Sequence, residues 1–478
     1  MGGRRQFIKT GGVLGAGMLL HKNNLLASQT QTFESKRPPL AQRKFRSEQV
    51  EAAIAEIKKA LPGKEIAWLF ENCFPNTLDT TVDFEMVDGK PDTYVITGDI
   101  DAMWLRDSTA QVWPYLPLIK GDEKLQQLIA GVINRQSKCI RKDPYANAFY
   151  KDENKISEWK DTDITDMKPG IHERKWEIDS LCYPIRLAHK YWQLSGDTTP
   201  FDNSWKETVE LIVKTFREQQ RKKSEGPYTF QRTTAWATDG VPLGGYGYPV
   251  KPVGLICSMF RPSDDATIFP YLIPSNFFAV VSLKQAAEMV GKIYNDSVLA
   301  NTCTQLAAEV EQALQQYGIV QHLQMGRVFA YEVNAFGSYN LMDDANVPSL
   351  LSLPYLDAKP AGDPVYQNTR KLILSDNNPF FFKGIIAEGI GGPHAGMHMI
   401  WPLGITMRAL TSTSDTEIKA CLKMLVASHA GTGFMHESFH KDNAAKFTRK
   451  WFAWANTLFG ELVLKLHHTK PSLLKEIY

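Results

Sequence analysis

The chain has 478 residues, and its 54 lysines and arginines nearly balance its 52 aspartates and glutamates, leaving a formal net charge of +2. This near-neutral charge, without a basic stripe, argues against a nucleic-acid-binding protein. Eleven tryptophans suit either a large core or a site where aromatic rings cover the apolar faces of sugars. Because no linker-like spacer interrupts the chain after about residue 45, we expect one large domain over residues 31–478.

The first 30 residues have the pattern of an export signal. Arg4 and Arg5 precede a weakly apolar run over residues 11–20, and Ala27 and Ser28 offer a cleavage point. These features are typical of a twin-arginine signal peptide. The apolar run is shorter than the roughly 20 residues that span a bilayer. We therefore expect export to a bacterial periplasm or secretion, with no membrane association after residues 1–30 are removed.

Helical periodicity dominates the rest of the chain. Ser47 is a good helix cap, and the apolar residues Val50, Ile54 and Ile57 then fall on one face until Pro62 ends the pattern. The same reasoning predicts eleven helices, over residues 47–61, 64–74, 107–119, 122–140, 177–194, 202–221, 275–294, 296–317, 395–411, 414–428 and 443–467.

Only short strands are predicted, over residues 94–97, 228–232 and 328–334. They do not alternate with helices at the spacing that builds a parallel sheet. We therefore expect an all-α fold with short β segments in its loops. Eleven or twelve helices in one domain fit an (α/α)6 barrel, which is a toroid of paired helices, with the acid-bearing loops at one end.

The segment TGDIDAMWLRDS, residues 97–108, carries the first chemical signal. An Arg106–Asp107 pair can bind vicinal hydroxyls, since Arg donates through a planar fork and Asp accepts. The indole of Trp104 would then cover the apolar face of the same sugar. The alternative is an internal ion pair at a helix start.

Two more acid-bearing segments suggest glycoside hydrolysis, which needs one protonated and one ionised carboxyl group. Asp264 and Asp265 are adjacent, and we expect each to raise the pKa of the other, which favours keeping one protonated. Glu437 lies between aromatic residues after a flexible glycine segment, which suits a base that activates water. The alternatives are a helix cap for the aspartate pair and a helix start for Glu437. The pair Asp343–Asp344 either caps the apolar stretch that follows it or lines the sugar site, and it is the second-ranked proton donor.

Other polar residues are candidates for the same pocket or for a metal. Glu177 and Asp179 precede a long helix, and His394 and His398 are four apart, which would place them on one helical face. An acid between two such histidines is absent, so hydrogen bonding is favoured over metal binding. The six cysteines are scattered without metal-type spacing, and we expect free thiols.

Six segments together resemble glycoside hydrolase family 125, the metal-independent exo-α-1,6-mannosidases. They are TGDIDAMWLRDSTAQVWPY, KWEIDSLCYPIRLA, CSMFRPSDDATIFPYLIPSN, MDDANVPSLLSLPY, GPHAGMHMIWPLGI and GTGFMHESFH. The resemblance covers nearly the whole chain after residue 45, and the WLRDS element is also similar to one in glucoamylases that holds the terminal sugar. It implies an (α/α)6 barrel, inversion of the anomeric configuration, no cofactor and no metal.

The resemblance also implies roles for individual residues. Asp264 would be the general acid and Glu437 the general base, although the adjacent Asp265 leaves the choice of acid open. Arg106 and Asp107 would bind the non-reducing mannose. The remaining candidates for substrate binding are Trp104, Glu177, Asp179, Asp265 and His394.

We therefore expect an exo-acting enzyme that removes terminal α-1,6-linked mannose from N-glycan or mannan oligosaccharides, with no nucleic acid or membrane as partner. One alternative is the same barrel acting on an α-glucoside, by hydrolysis or by phosphorolysis. A phosphorylase would need a phosphate site in place of the base, and no basic cradle is evident beside Glu437. The other alternative is a non-catalytic glycan-binding protein, which would need neither Asp264 nor Glu437.

Overall fold

The computed structural model describes residues 33–476 and 478, and helices account for most of the regular structure in this part of the chain. The α-helices are α1 (Glu48–Ala60), α2 (Glu65–Cys73), α3 (Asn76–Thr80), α4 (Leu105–Val112), α5 (Glu123–Lys142), α6 (Ile178–Ser195), α7 (Asn203–Gln219), α8 (Ile273–Ile293), α9 (Ser297–Tyr317), α10 (Pro364–Ile373), α11 (Pro402–Leu410), α12 (Asp415–Ser428), α13 (Ala453–Thr469) and α14 (Pro471–Leu474).

Short antiparallel strands occupy the connections between helices. They are β1 (Val82–Val87), β2 (Lys90–Val95), β3 (Met103–Trp104), β4 (Ala148–Phe149), β5 (Asp163–Ile164), β6 (Ile171–Glu173), β7 (Gln231–Arg232), β8 (Tyr271–Leu272), β9 (Ile319–His322), β10 (Gly326–Phe329), β11 (Glu332–Val333), β12 (Tyr339–Asn340), β13 (Phe381–Lys383), β14 (Glu388–Ile390), β15 (Met399–Ile400), β16 (Ser438–His440) and β17 (Asn443–Thr448). Two of the small sheets, β3–β4–β6 and β15–β16–β17, lie beside the site described below.

The helices pack in two layers. Near the centre, α13 packs against α4 and α11, α4 packs against α6, and α6 packs against α8. Farther out, α5 packs against α6 and α7, α9 against α8, and α12 against α11. All eight residues of α4 are buried, whereas α5 is amphipathic and buries one face. One continuous cluster of buried apolar side chains runs from Val50 to Leu474.

Most predicted helices are confirmed, and their ends have local causes. Ser47 caps α1, because its hydroxyl accepts a hydrogen bond from the Val50 N–H at 3.1 Å. Asp122 caps α5 in the same way, accepting from the Leu125 N–H at 3.0 Å. The predicted helix over 107–119 is split into α4 and a 3₁₀ segment at Trp113–Leu118.

Two predicted helices are wrong over part of their length. The helix predicted over 395–411 begins only at Pro402, because the glycine-rich residues before it form a turn and strand β15. Strand β17 occupies the first part of the helix predicted over 443–467, and α13 begins at Ala453. The prediction missed α10, which begins at Pro364. Pairing with the neighbouring strand β16, in a hairpin, overrides the helical periodicity at β17.

The predicted export signal, residues 1–30, lies outside the described residues. Within the described part, no helix is both long and apolar enough to cross a membrane. All six cysteines lie in this part, and each is buried with an unpaired thiol, in agreement with the expectation of free thiols.

Candidate active site

A cleft of about 640 Å³ opens where the central helices begin. Residues that line it belong to the starts of α4 and α13 or to the segments that lead into α6, α8 and α11. Seven of the nine predicted site residues lie in its wall: Trp104, Arg106, Asp107, Asp264, Asp265, His394 and Glu437. The predicted arrangement of acid-bearing loops at one end of the helices is therefore present.

The β3–α4 junction places three of these side chains. Trp104 ends β3 in extended backbone and α4 follows at once, so Arg106 and Asp107 lie in its first turn. The β3–β4–β6 sheet holds the indole of Trp104 edge-on against His172, with ring centroids 5.1 Å apart. The side chains of Arg106 and Asp107 are almost fully buried, so they form the floor of the cleft.

Arg106 is surrounded by carboxyl groups. Its Nη1 donates to Glu177 Oε2 at 2.6 Å and to Asp179 Oδ2 at 3.2 Å. Its Nη2 donates to Asp264 Oδ1 at 3.3 Å, and its Nε lies 3.4 Å from Asp107 Oδ2. The guanidinium therefore links the floor of the cleft to the wall that contains Asp264.

Asp264 lies in a tight loop before α8 and has a backbone φ of +66°, which non-glycine residues rarely adopt. Lys175 holds this conformation by donating from Nζ to the Asp264 carbonyl at 3.0 Å. The Ser263 hydroxyl donates to Asp344 Oδ2 at 2.8 Å, and Arg261 donates to Glu332 Oε1 at 2.7 Å. A strained residue held by several contacts is typical of a functional position.

Glu437 lies immediately before β16, on a different wall of the cleft. Its Oε1 accepts from Arg449 Nη1 at 3.4 Å. Arg449 is in turn held by Asp99 Oδ1, which accepts from its Nη2 at 2.6 Å and from its Nε at 2.8 Å. The Arg449 guanidinium also faces the ring of Phe452 at 4.8 Å. Glu437 is therefore a nearly buried carboxyl group with the fixed guanidinium of Arg449 beside it.

The model of the metal-independent α-mannosidase family, GH125, matches residues 63–464. The chain belongs to this family. It is therefore a glycoside hydrolase, and its activity is that of an α-mannosidase.

Known proteins agree with this assignment. The chain is 43% identical, over 92% of its length and 90% of the other protein, to the meiotically up-regulated gene 157 protein of Schizosaccharomyces pombe. It is 41% identical to a Streptococcus pneumoniae metal-independent α-mannosidase solved in a non-productive complex with α-1,6-mannobiose, with a TM-score of 0.84 over 88% of this chain and 99% of that one. A bacterial glucoamylase complexed with acarbose shares the fold alone, with a TM-score of 0.51, 13% identity, and coverage of 89% of this chain and 57% of that one.

The charge state of Asp264 in this α-mannosidase differs from the prediction. Burial alone would raise its pKa, but Arg106, Lys175 and His394 outweigh that effect and lower the pKa to about 2. The expectation that Asp265 raises the pKa of Asp264 is wrong, because the fold brings near Asp264 three cations that are distant from it in the chain. The pKa that is raised is instead that of Glu177. Burial and the nearby Asp264 and Asp179 raise it, and Arg106 opposes them.

Glu177 and Asp179 were predicted to bind substrate, and the structure places both behind the floor of the cleft. Their side chains are completely buried at the start of α6, and both accept hydrogen bonds from Arg106. Neither acid lines the cleft, and both contact Arg106, which does.

Asp265 and His394 form a second pair in the wall. Asp265 Oδ1 accepts from the Thr238 hydroxyl at 2.7 Å and lies 3.7 Å from His394 Nδ1. Burial alone would lower the pKa of His394, but Asp265, Glu437 and Asp264 raise it to about 9. His394 is therefore an imidazolium at neutral pH, beside both candidate catalytic acids.

The rival acid pair has a structural role. Asp343 is buried and accepts from the N–H groups of Leu350 and Leu351 at 2.8 and 3.0 Å, so the capping interpretation is confirmed. Asp344 supports the Asp264 loop through Ser263. Neither lines the cleft, so neither is placed to protonate a substrate there.

The predicted histidine pair does not share a helical face. His398 has a φ of +68° in a turn and contacts the rings of Phe382 and His440, while His394 alone lines the cleft. Within residues 33–476 and 478, no group of three or more His, Cys, Asp or Glu side chains is arranged to hold a metal ion.

Two functional candidates escaped prediction. Lys175 and Arg449 both line the cleft, and each fixes one of the two candidate catalytic acids. Lys175 stands beside the WEID segment, which was a usable signal. Arg449 had no such signal in the sequence, because its partner Asp99 lies 350 residues away in the chain.

Proposed function

We propose that this α-mannosidase removes terminal α-1,6-linked mannose from N-glycan or mannan oligosaccharides by a single inverting displacement. The observation that carries the proposal is that Asp264 and Glu437, from distant segments, line one cleft together with the Arg106–Asp107 floor. The α-1,6 linkage is supported by the 41%-identical Streptococcus pneumoniae protein, whose complex contains α-1,6-mannobiose.

Asp264 is the proposed general acid. Its side chain is about one quarter exposed, and Arg106 and the backbone contact from Lys175 fix its direction. Asp265 is the weaker candidate, because its side chain is buried and already accepts from Thr238. The leaving oxygen of the scissile bond would lie against Asp264 and receive its proton.

Glu437 is the proposed general base. Because its Oε1 faces Arg449, Oε2 is the oxygen available to a water molecule. An inverting enzyme places this water on the face of the sugar opposite to the acid. Removal of a proton from the water by Glu437, as the bond to the leaving oxygen breaks, would convert an α-mannoside to β-mannose.

The floor of the cleft supports exo action. Arg106 and Asp107 are nearly buried, so a polysaccharide chain cannot thread past them, and only a chain end reaches Asp264. The guanidinium fork and the Asp107 carboxyl would bind hydroxyls of the terminal mannose. The indole of Trp104 lines the same end of the cleft and offers an apolar surface to the sugar.

The alternative functions have less support. Arg449, the cation next to Glu437, is paired with Asp99, so it does not form the phosphate site that a phosphorylase needs. Family membership favours mannose over glucose. A non-catalytic binding protein has no need for two acids held by separate cations, as Asp264 and Glu437 are.

The central helices support an (α/α)6 toroid as the finer description of the fold. They pack in the order α11, α13, α4, α6, α8, and the irregular segment 342–358 bridges two of them. In that segment, the Val347 carbonyl accepts from Tyr183 of α6, and Tyr355 donates to Glu461 of α13. Export to a periplasm stays a proposal that depends on Arg4 and Arg5, and a fungal relative shows that the family is not confined to bacteria.

The test is to incubate EDTA-treated enzyme with α-1,6-, α-1,3- and α-1,2-mannobiose and to follow the product anomer by proton NMR. We expect β-mannose first, from the 1,6-isomer alone. Initial release of α-mannose would contradict the inverting mechanism and the roles of Asp264 and Glu437. Equal cleavage of all three isomers would contradict the linkage specificity.

A further inference from the structure

The floor of the cleft has more buried carboxyl groups than cations to balance them. Arg106 contacts Asp107, Glu177, Asp179 and Asp264 within 3.4 Å. Burying unbalanced charge is costly, and a carboxyl group avoids the cost by keeping its proton. At least one of the four should therefore be neutral in the resting enzyme.

The nearest other cations lower the pKa of Asp264, but their direct ion pairs are with acids outside the Arg106 cluster. Lys175 Nζ pairs with Asp239 at 2.6 Å and Glu173 at 3.2 Å, and it reaches Asp264 only at the backbone carbonyl. His394 faces Asp265. Each of these cations is already matched to acids of its own.

Glu177 is the carboxyl group best placed to hold the proton. It is completely buried, and its Oε2 accepts from Arg106 at 2.6 Å and from the Ser180 hydroxyl at 2.8 Å. Its Oε1 is buried and has no donor facing it among the described residues. An ionised Glu177 would leave that oxygen unsatisfied, whereas a protonated one can donate a hydrogen bond.

Asp264 is the acceptor for that bond. Glu177 and Asp264 lie on the same guanidinium, at Nη1 and Nη2 of Arg106, and within reach of each other. Two carboxyl groups can share a hydrogen bond only when one carries a proton. Burial raises the pKa of Glu177 far above that of Asp264, so in the empty cleft the shared proton lies on Glu177. A general acid that is ionised at rest needs a source for the proton it donates.

We propose that Glu177 supplies the proton that Asp264 delivers to the leaving oxygen, so that the two carboxyl groups act as one acid. This inference rests on the proposed role of Asp264. Binding of substrate removes water from the partly exposed Asp264, and loss of water raises the pKa of a carboxyl group. The proton then moves along the shared hydrogen bond from Glu177 to Asp264.

The proton balance is complete. Asp264 passes its proton to the glycosidic oxygen, which takes the electron pair of the breaking C–O bond. Water forms the new bond to the sugar carbon and loses a proton to Glu437. Glu177 is left as a carboxylate against Arg106 and Ser180, and exchange with solvent returns a proton from Glu437 to the Glu177–Asp264 pair. Glu177 thus acts through Asp264 and does not touch the sugar.

The test uses Glu177→Gln in the full-length enzyme with two substrates. Glutamine keeps a neutral hydrogen-bond donor of the same shape but has no proton to release. We expect kcat for α-1,6-mannobiose to fall at least tenfold. For 2,4-dinitrophenyl α-mannoside, whose leaving group departs without protonation, kcat should stay within about threefold of wild type. Mannose affinity, measured by calorimetry, should be unchanged if the cleft is intact.

Two further variants distinguish action through Asp264 from a purely structural role of Glu177. Asp264→Asn should show the same substrate dependence as Glu177→Gln, and full mannobiose activity in Asp264→Asn would contradict the proposed function itself. Glu332→Gln, which alters a buried carboxyl group supporting the same loop through Arg261, should lower both rates together, as any purely structural change would.

Two outcomes of the Glu177→Gln kinetics would overturn the inference. Wild-type rates of Glu177→Gln on both substrates, or an equal loss on both, would show that Glu177 only supports Arg106. If Glu177→Gln does not fold, Glu177→Asp keeps an ionisable group on a shorter stem. Its kcat loss should then be larger for mannobiose than for the dinitrophenyl substrate, and equal losses would again contradict the proposal.

Discussion

The two walls of the cleft place the two proposed catalytic residues, Asp264 and Glu437, in different charge environments. On the Asp264 wall, four carboxyl groups share the single guanidinium of Arg106, deep in the protein. On the Glu437 wall, Arg449 faces Glu437 and one partly exposed acid, Asp99. An excess of buried carboxyl groups retains a proton, whereas a carboxylate with its own cation has no need of one. The difference matches the opposite requirements of a general acid and a general base.

The largest expected effect is on the base wall. Replacing Glu437 with Gln removes the proton acceptor for water while keeping the side-chain shape, so kcat should fall by about 10²–10⁴-fold. The kcat values for mannobiose and for dinitrophenyl α-mannoside should fall by similar factors, because both reactions need activated water. Glu177→Gln, in contrast, should affect mainly mannobiose. Steady-state kinetics on the two substrates makes the comparison, and a variant retaining more than a tenth of the wild-type rate would remove Glu437 from this role.

The next prediction compares the two arginines. Arg106→Met leaves several buried carboxyl groups without their cation, and we expect a stability loss of about 3–5 kcal/mol. Arg449→Met removes one cation from the partly exposed Asp99 and the nearly buried Glu437, so its stability loss should be smaller than that of Arg106→Met, while kcat falls about tenfold as Glu437 loses its fixed position. Denaturant unfolding and kinetics on both variants decide this, and equal stability losses would contradict the contrast between the walls.

A smaller effect is expected at the rim. Trp236 lines the cleft yet is about half exposed, so its ring is available to a sugar beyond the cleaved bond. Trp236→Ala should raise KM about fivefold for a mannotriose, equivalent to about 1 kcal/mol of aromatic contact, with kcat unchanged. Its KM for the dinitrophenyl substrate, which lacks that sugar, is the control and should not move.

The smallest effect is a pH dependence of stability at His394. Its pKa is about 9 in the folded protein, against an ordinary value of about 6.5. A raised pKa means that the protonated form stabilises the fold, fully below pH 6.5 and progressively less as the pH rises through 9. The side chain is partly exposed, so we expect under about 1 kcal/mol. The Tm difference between wild type and His394→Gln should shrink from pH 6 to pH 9.5, and a growing difference would contradict the assignment.

The sequence predicted the helices and the main site segments because both have local signals. The cap at Ser47 and the periodicity that follows it specify α1 without any distant contact. The WLRDS segment showed Trp104, Arg106 and Asp107 as a unit. Prediction failed at residues 443–448, where pairing with β16 decides the structure.

The charge states could not be predicted in the same way. Asp264 and Asp265 are adjacent in the chain, and their mutual effect was the only one visible there. In the fold, Arg106, Lys175 and His394 surround Asp264, and they reverse the expected direction of its pKa. Glu177 appeared to be a sugar ligand because it is polar and near a recognised segment, and its burial behind Arg106 is a property of tertiary packing.

The sequence by itself determined the family, the helical class and seven of the residues that line the cleft. These follow from periodicity and from residue types within short segments. Only the tertiary structure decided which acid is partnered by which cation, since Arg449 meets Asp99 and Arg106 meets Asp264 across long stretches of chain. Protonation depends on charge and burial in three dimensions, so the charge states of the candidate acids had to wait for the fold.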